Sequence, residues 1–233
     1  MERETLELGP MRIRNRQAIR LFAWLDDRLG IKEIVDDEVF EKIAPAYLGL
    51  WSCFGGISFF LFISQVVTGA LLLVYYQPTI AEAHASVAAI MNEVPFGWLI
   101  RGLHAWGSNL MLIAIMIHMA KIYYAGIYKT PRELNWVAGV SLFLFTLGLS
   151  FTGYLLPWTQ LAYWATVVGT ETPAATPLVG EYIRYLMRGG EEIGQVTLTR
   201  FFAIHVMILP IITGLTVGLH LLQIRRQGIS GPL

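Results

Sequence analysis

The sequence predicts an all-α membrane protein built on four spanning helices. Composition and apolar windows carry that expectation. Hydrophobic residues are 55% of the 233 and charged residues only 15%, too apolar a balance for an ordinary soluble domain. Four windows (51–76, 98–124, 136–156 and 199–224) are each long and apolar enough to cross a bilayer, which takes about 20 helical residues. Tryptophan or tyrosine stands near several of their ends, where amphipathic rings favour the headgroup level. Formal net charge is zero, so no long-range field favours nucleic acid. Cys53 is the single cysteine, which rules out a disulfide within the chain.

From the N-terminus, the chain divides into an extension over 1–50 and a four-helix transmembrane domain over 51–233. No cleavable signal peptide is visible in the charged opening stretch. Within the extension, "NRQAIRLFAWLDDRLG" (15–30) spaces apolar residues at helical intervals among charges. It reads as an amphipathic helix lying on the membrane surface, or as a soluble helix docked on a partner. Eight Lys or Arg precede the first span, Lys121, Lys129 and Arg132 lie between the second and third, and Arg225 and Arg226 follow the fourth. The connection 77–95 has no Lys or Arg. The positive-inside rule therefore puts both termini and the middle loop on the cytoplasmic (n) side. The long connection 157–198 falls on the opposite (p) side and is long enough for short helices of its own. Pro210 should bend the fourth span, because proline removes a helical hydrogen bond and crowds the preceding turn.

Histidines give the bundle its chemistry. His104 and His118 are 14 positions apart in the second span, and His205 and His220 are 15 apart in the fourth. Either interval separates two rings by roughly 21–22 Å along the axis and returns them to within about 40–60° of one face. Both spans run from the p side to the n side, so His104 pairs in depth with His205, and His118 with His220. Two facing helices would supply two imidazoles at each of two depths, as bis-imidazole ligation of two stacked haems needs. A single buried histidine can merely hydrogen-bond a neighbouring helix, but depth-matched pairs favour metal ligation. A zinc or copper site would gather its ligands at one depth. Gly55 and Gly69, and likewise Gly139 and Gly153, are also 14 apart. Lacking Cβ, they would let a flat ring approach the helix closely, although small residues also serve ordinary helix packing.

With these features the chain resembles the cytochrome b6-type, split cytochrome b subunit of cytochrome bc/b6f quinol oxidoreductases, over about 22–233. The stretches that carry the resemblance are "CFGG" (53–56), "QVVTG" (65–69), "FGWLIRGLHAW" (96–106), "KTPRELNWVAGV" (129–140), "TGYLLPW" (152–158), "TLTRFFAIH" (197–205) and "IRRQGISGPL" (224–233). The resemblance implies two b-type haems, the p-side iron on His104 and His205 and the n-side iron on His118 and His220. Arg101 would meet a haem propionate. Gly153, Tyr154, Pro157 and Trp158 would form a wall of the quinol pocket. Cys53 would hold an additional c-type haem by one thioether bond, its alternative being an inert buried cysteine. Electrons from p-side quinol oxidation would divide between an iron–sulfur protein and the haem pair leading to an n-side quinone, with protons translocated.

The implied partners are a separate C-terminal cytochrome b half, a Rieske iron–sulfur protein and a c-type cytochrome, in a homodimeric complex. The implied location is a bacterial cytoplasmic membrane or a thylakoid. Two departures stand out. No "PEWY" sequence occurs, so the chain alone should not turn over quinol. Thr159 stands where relatives commonly carry aspartate or another residue. The competing readings are a dihaem quinone-reactive anchor of a dehydrogenase or hydrogenase, and a transporter or structural membrane protein. Transporters more usually place ionisable groups near the midplane of broken helices.

Overall fold

In the computed structural model the described residues are 6–8, 11–29, 32 and 50–227. They fall into two compact units, one before Leu50 and one from Leu50 onward. The first unit holds a short antiparallel pair, β1 (Leu6–Leu8) and β2 (Met11–Ile13), with Leu6 opposite Ile13 and Leu8 opposite Met11. Three residues per strand is too short a pattern to read from sequence, which is why the pair was not expected. Next comes α1 (Arg16–Leu29). Asn15 caps it, its Oδ1 accepting from Gln17 N at 2.9 Å and Ala18 N at 3.2 Å, so two otherwise orphaned amides are satisfied. This is the amphipathic helix expected over 15–30, with Ile19 buried and Leu21 and Trp24 exposed.

The second unit opens on a 3₁₀ turn (Leu50–Cys53) that leads into α2 (Phe54–Leu73). A short α3 (Ala83–Asn92) precedes α4 (Gly97–Tyr124), and α5 (Glu133–Leu155) follows. The long connection folds as α6 (Gln160–Ala174) and α7 (Gly180–Arg188). Then α8 (Gln195–Ala203), a π-helical turn (Ile204–Ile208) and α9 (Leu209–Gln227) run on as one rod. Among the described residues four helices are long and apolar enough to span a membrane: Leu50–Leu73, Gly97–Tyr124, Glu133–Leu155 and Gln195–Gln227. All four expected windows are met, each displaced by a few residues at its ends.

The spans pack as two antiparallel pairs, α2 along α4 and α5 along α9, while α4 and α9 have little backbone contact with each other. Large apolar side chains such as Phe60, Ile113, Leu144 and Leu215 point outward and stay exposed, as lipid-facing surfaces require. The tightest packing lies at one end of the bundle. There Ala83, Leu155, Leu198 and Phe201 are buried against Tyr76, Phe151, Leu156 and Trp158. Tyr76 seals this cluster by donating from its hydroxyl to the Leu156 carbonyl at 2.7 Å, so the polar end of a large buried ring is paired.

Candidate functional site

Each of the four spanning-helix histidines lies against one glycine of a neighbouring helix. A Cβ on Gly69 would stand 3.1 Å from His104 Cε1, and one on Gly55 3.0 Å from His118 Cε1. In the other helix pair, a Cβ on Gly153 would stand 2.5 Å from His205 Cε1, and one on Gly139 3.6 Å from His220 Cε1. The matched glycine and histidine intervals thus have a direct physical basis. The flat ring that each glycine admits in this structure is the imidazole itself, approaching a backbone that carries no side chain.

The two ends hold their imidazoles differently. Thr68 Oγ1 lies 2.9 Å from His104 Nδ1, and Thr152 Oγ1 lies 3.2 Å from His205 Nδ1. The Leu149 carbonyl also lies 3.0 Å from His205 Nδ1. A partner on Nδ1 fixes the ring's orientation and leaves Nε2 for a metal. Both threonines immediately precede the glycines that face the same rings, a repeated Thr-Gly that sequence reasoning passed over. At the other end Nδ1 of His118 and of His220 are buried without a partner among the described residues.

Helix α9 reaches the same phase as α4 despite its longer histidine interval. The π turn contains His205 and adds one residue to a single turn, Leu209 N donating to the Ile204 carbonyl. The interval of 15 therefore behaves as 14 α-helical residues would, leaving both pairs about 40° from exact eclipse. Pro210 follows two residues after the turn, and the residue four before it, Val206, whose carbonyl a proline ring would crowd, lies inside that wider turn. The irregularity expected at Pro210 lies just ahead of it.

His104 and His205 face each other across the bundle, ring centroids 6.3 Å apart and planes at 82°. An imidazole nitrogen binds a metal at about 2 Å, and the centroid lies about 1 Å further back, so a shared iron would set the centroids about 6 Å apart. The pair therefore fits a bis-imidazole metal. His118 and His220 are also close enough to interact electrostatically. Among the described residues no three His, Cys, Asp or Glu side chains converge as a metal cluster. The protein offers pairs, which suit an iron whose remaining ligands come from a macrocycle.

The other expected residues sort by position. Arg101 is one turn before His104, half-buried, and makes no ion pair or hydrogen bond with any described residue. Cys53 is a free, exposed thiol at the start of α2, two residues before the glycine that faces His118. Tyr154 is exposed, Trp158 has a left-handed backbone with φ of 49°, and Gly153 is taken up against His205. The Pro157 carbonyl lies 3.4 Å from His84 Nδ1. Thr159 caps α6, its hydroxyl accepting from Ala162 N at 3.1 Å, so its polar group is spent on the helix start.

Residues 39–228 match the family described as cytochrome b/b6/petB. The chain is 46% identical over 214 residues to the cytochrome b6 of Euglena gracilis, covering 92% of this chain and 99% of that protein. The cytochrome b6 of Synechococcus elongatus is similar to the same degree over the same shares. A solved structure titled hyperthermophilic respiratory Complex III superposes with a TM-score of 0.84 at 37% identity, covering 90% of this chain. The chain spans about half the length of that larger one, 56%. On its sequence, its helix arrangement and its four spans, the chain belongs to the cytochrome b/b6 family.

Proposed function

We propose that the chain is the dihaem cytochrome b subunit of a bc/b6f-type quinol oxidoreductase, carrying electrons across the membrane between a p-side quinol and an n-side quinone. The observation that carries this reading is the pair of facing imidazoles at 6.3 Å; His118 and His220, each against its own glycine, would supply the second pair. Two b haems bound there would supply one-electron transfer between opposite faces of the bilayer. His104 and His205 would hold the p-side haem iron, with Thr68 and Thr152 steadying their Nδ1 atoms and Gly69 and Gly153 admitting the rings. His118 and His220 would be the n-side ligands, with Gly55 and Gly139 in the same role. Arg101, without an ion pair or hydrogen bond among the described residues, would pair with a propionate.

The pocket wall comprises Gly153, Tyr154, Pro157 and Trp158, next to the His205 end of the bundle. The second half of the cytochrome, a Rieske iron–sulfur protein and a c-type cytochrome complete the assembly, a homodimer. Both termini face the n side of a bacterial cytoplasmic or thylakoid membrane. Cys53 would anchor a c-type haem through its thioether, supported by an accessible thiol near the level of His118. The test is a haem count on the purified complex before and after acid–acetone extraction. Two extractable b haems and one retained on this chain are expected. No haem would overturn the reading, and two extractable haems with none retained would remove the Cys53 assignment alone.

A further inference from the structure

Outside the spanning helices one histidine stands apart from the haem sites. His84 is exposed on α3, whereas the other four of the five histidines lie in the spans. Its helix is anchored on either side of it. Ala83 is fully buried in the cluster with Leu155 and Phe201. Ser86, also buried, donates from its hydroxyl to the Ala83 carbonyl at 3.0 Å and accepts from Gln77 N at 3.1 Å. Between these anchors the His84 ring turns outward, with its Nδ1 3.4 Å from the Pro157 carbonyl.

That carbonyl decides which ring nitrogen carries the proton. The neighbouring carbonyls already have donors: Leu155 takes Trp158 N at 2.9 Å, Leu156 takes the Tyr76 hydroxyl at 2.7 Å, and Thr159 takes Tyr163 N at 2.9 Å. Among the described residues no main-chain amide donates to the Pro157 carbonyl, so His84 is the donor it meets. A carbonyl oxygen only accepts. The neutral ring is therefore protonated at Nδ1, and Nε2 keeps its lone pair. An exposed imidazole steadied in this way can take up and release a proton near neutral pH.

The surroundings offer no rival base at this place. Gly153, Tyr154, Pro157 and Trp158 bring neither carboxylate nor imidazole, and the Thr159 hydroxyl is engaged by Ala162 N. Around α3 the charged or titratable side chains are Glu82 and Glu93 at its two ends, Tyr76 before it, Arg101 on α4, Tyr154 on α5 and Arg200 on α8. Arg200 turns away to the Leu186 carbonyl. Only Tyr76 and His84 hydrogen-bond into the 153–158 segment from outside it, and the Tyr76 hydroxyl is already a donor.

We propose that His84 receives a proton from quinol at the Pro157–Trp158 wall and passes it to water on the p side. The proposal rests on the quinol-oxidising reading above. Oxidation of one quinol to quinone releases two protons and two electrons, one electron to the iron–sulfur protein and one to the p-side haem. For one of those protons the quinol O–H bond breaks and a bond to His84 Nε2 forms. The imidazolium then loses that proton from Nε2 to bulk water, and the ring ends the turnover neutral with Nδ1 still on Pro157. The second proton leaves through a base of the partner subunits.

The test uses the whole complex. His84→Asn keeps a side-chain N–H for the Pro157 carbonyl and removes the base. The kcat of quinol oxidation should fall about 100-fold, with KM for quinol and haem content as in the native complex. Imidazole added to the buffer should restore most of the rate. Infrared difference spectra of quinol oxidation should show an imidazolium band in the native complex that the variant lacks, a signature that a merely structural histidine does not give. An unchanged kcat in the variant overturns the proposal, and so does a loss that imidazole leaves unrepaired. If His84→Asn loses p-side haem, His84→Gln is read by the same criteria. A native complex that fails to oxidise quinol overturns the functional reading and this proposal with it. An active native complex with an unaffected variant overturns this proposal alone.

Discussion

Single atoms decide what each histidine tolerates beside it. A methyl on Gly153 would press to 2.5 Å from the His205 ring, whereas one on Gly139 would rest in ordinary contact at 3.6 Å from His220. Gly153→Ala should therefore displace His205 and lower p-side haem content, and Gly139→Ala should keep both haems. Redox-difference spectra of the two variants check this, and equal behaviour would refute it. Thr68→Val removes the hydroxyl partner of His104 Nδ1. Loss of one such hydrogen bond costs about 1 kcal/mol and frees the ring, so the p-side haem should shift its midpoint potential and extract more easily, with the n-side haem unmoved. His118→Ala should reduce two b haems to one and spare the haem on His104 and His205, measured as haem per chain. The histidines and glycines were legible because their intervals repeat along helices of fixed pitch. Thr68 and Thr152 were not, because each donates its hydroxyl back to its own turn, to the Ser64 and Gly148 carbonyls at 2.7 Å, as Thr146 does to Leu142 O, and nothing in the sequence marks the two that also meet an imidazole.

Among the elements, the fourth span best marks what a sequence can and cannot give. Its length and apolar character were readable, and so was trouble near Pro210. The π turn over Ile204–Ile208 was not, since no residue type encodes an added residue in one turn. Yet the unequal histidine intervals held the clue: a spacing of 15 facing one of 14 needs one residue absorbed between His205 and His220. A deletion inside the turn tests this. Removing Met207, with Pro210→Ala to relieve the ring clash, should restore a plain helix with the same phase and retain both haems. Removing Leu215 instead should rotate His220 by about 100° relative to His205 and cost the n-side haem. Haem stoichiometry separates the two, and loss of haem in both would deny the turn its compensating role. The short helices of the connection 157–198 were expected only as helices. Their mutual packing depends on contacts between distant positions, which periodicity does not reveal.

Those contacts govern the molecule as a whole, because the connection must hold α8 and hence His205 in place. Arg188, almost fully buried, is its clasp. Its guanidinium donates to Thr170 Oγ1 at 2.8 Å, to Glu171 Oε1 at 2.8 Å and to the Val167 carbonyl at 3.3 Å. Its own carbonyl accepts from Thr197 Oγ1 at 2.7 Å, which ties α6 and α7 to the start of α8. Arg184 adds ion pairs to Glu171 and Glu181. Desolvation pushes the exposed Glu171 carboxyl up, but Arg188 and then Arg184 more than offset it and hold it below the ordinary carboxylate value. The sign follows: a depressed folded value means stability fully present above the ordinary value of 4.5 and lost as pH falls through the depressed one. Arg188→Met keeps the bulk and removes the donors, which for hydrogen bonds to a charged group costs about 1.5–3 kcal/mol. It should lower the melting temperature and expose 157–198 to protease at neutral pH. Glu171→Gln should leave neutral stability closer to native and flatten the loss of stability below pH 4.5. Protease susceptibility of that connection against pH, read alongside p-side haem retention, distinguishes the clasp from a merely solvated ion pair, which would show neither effect.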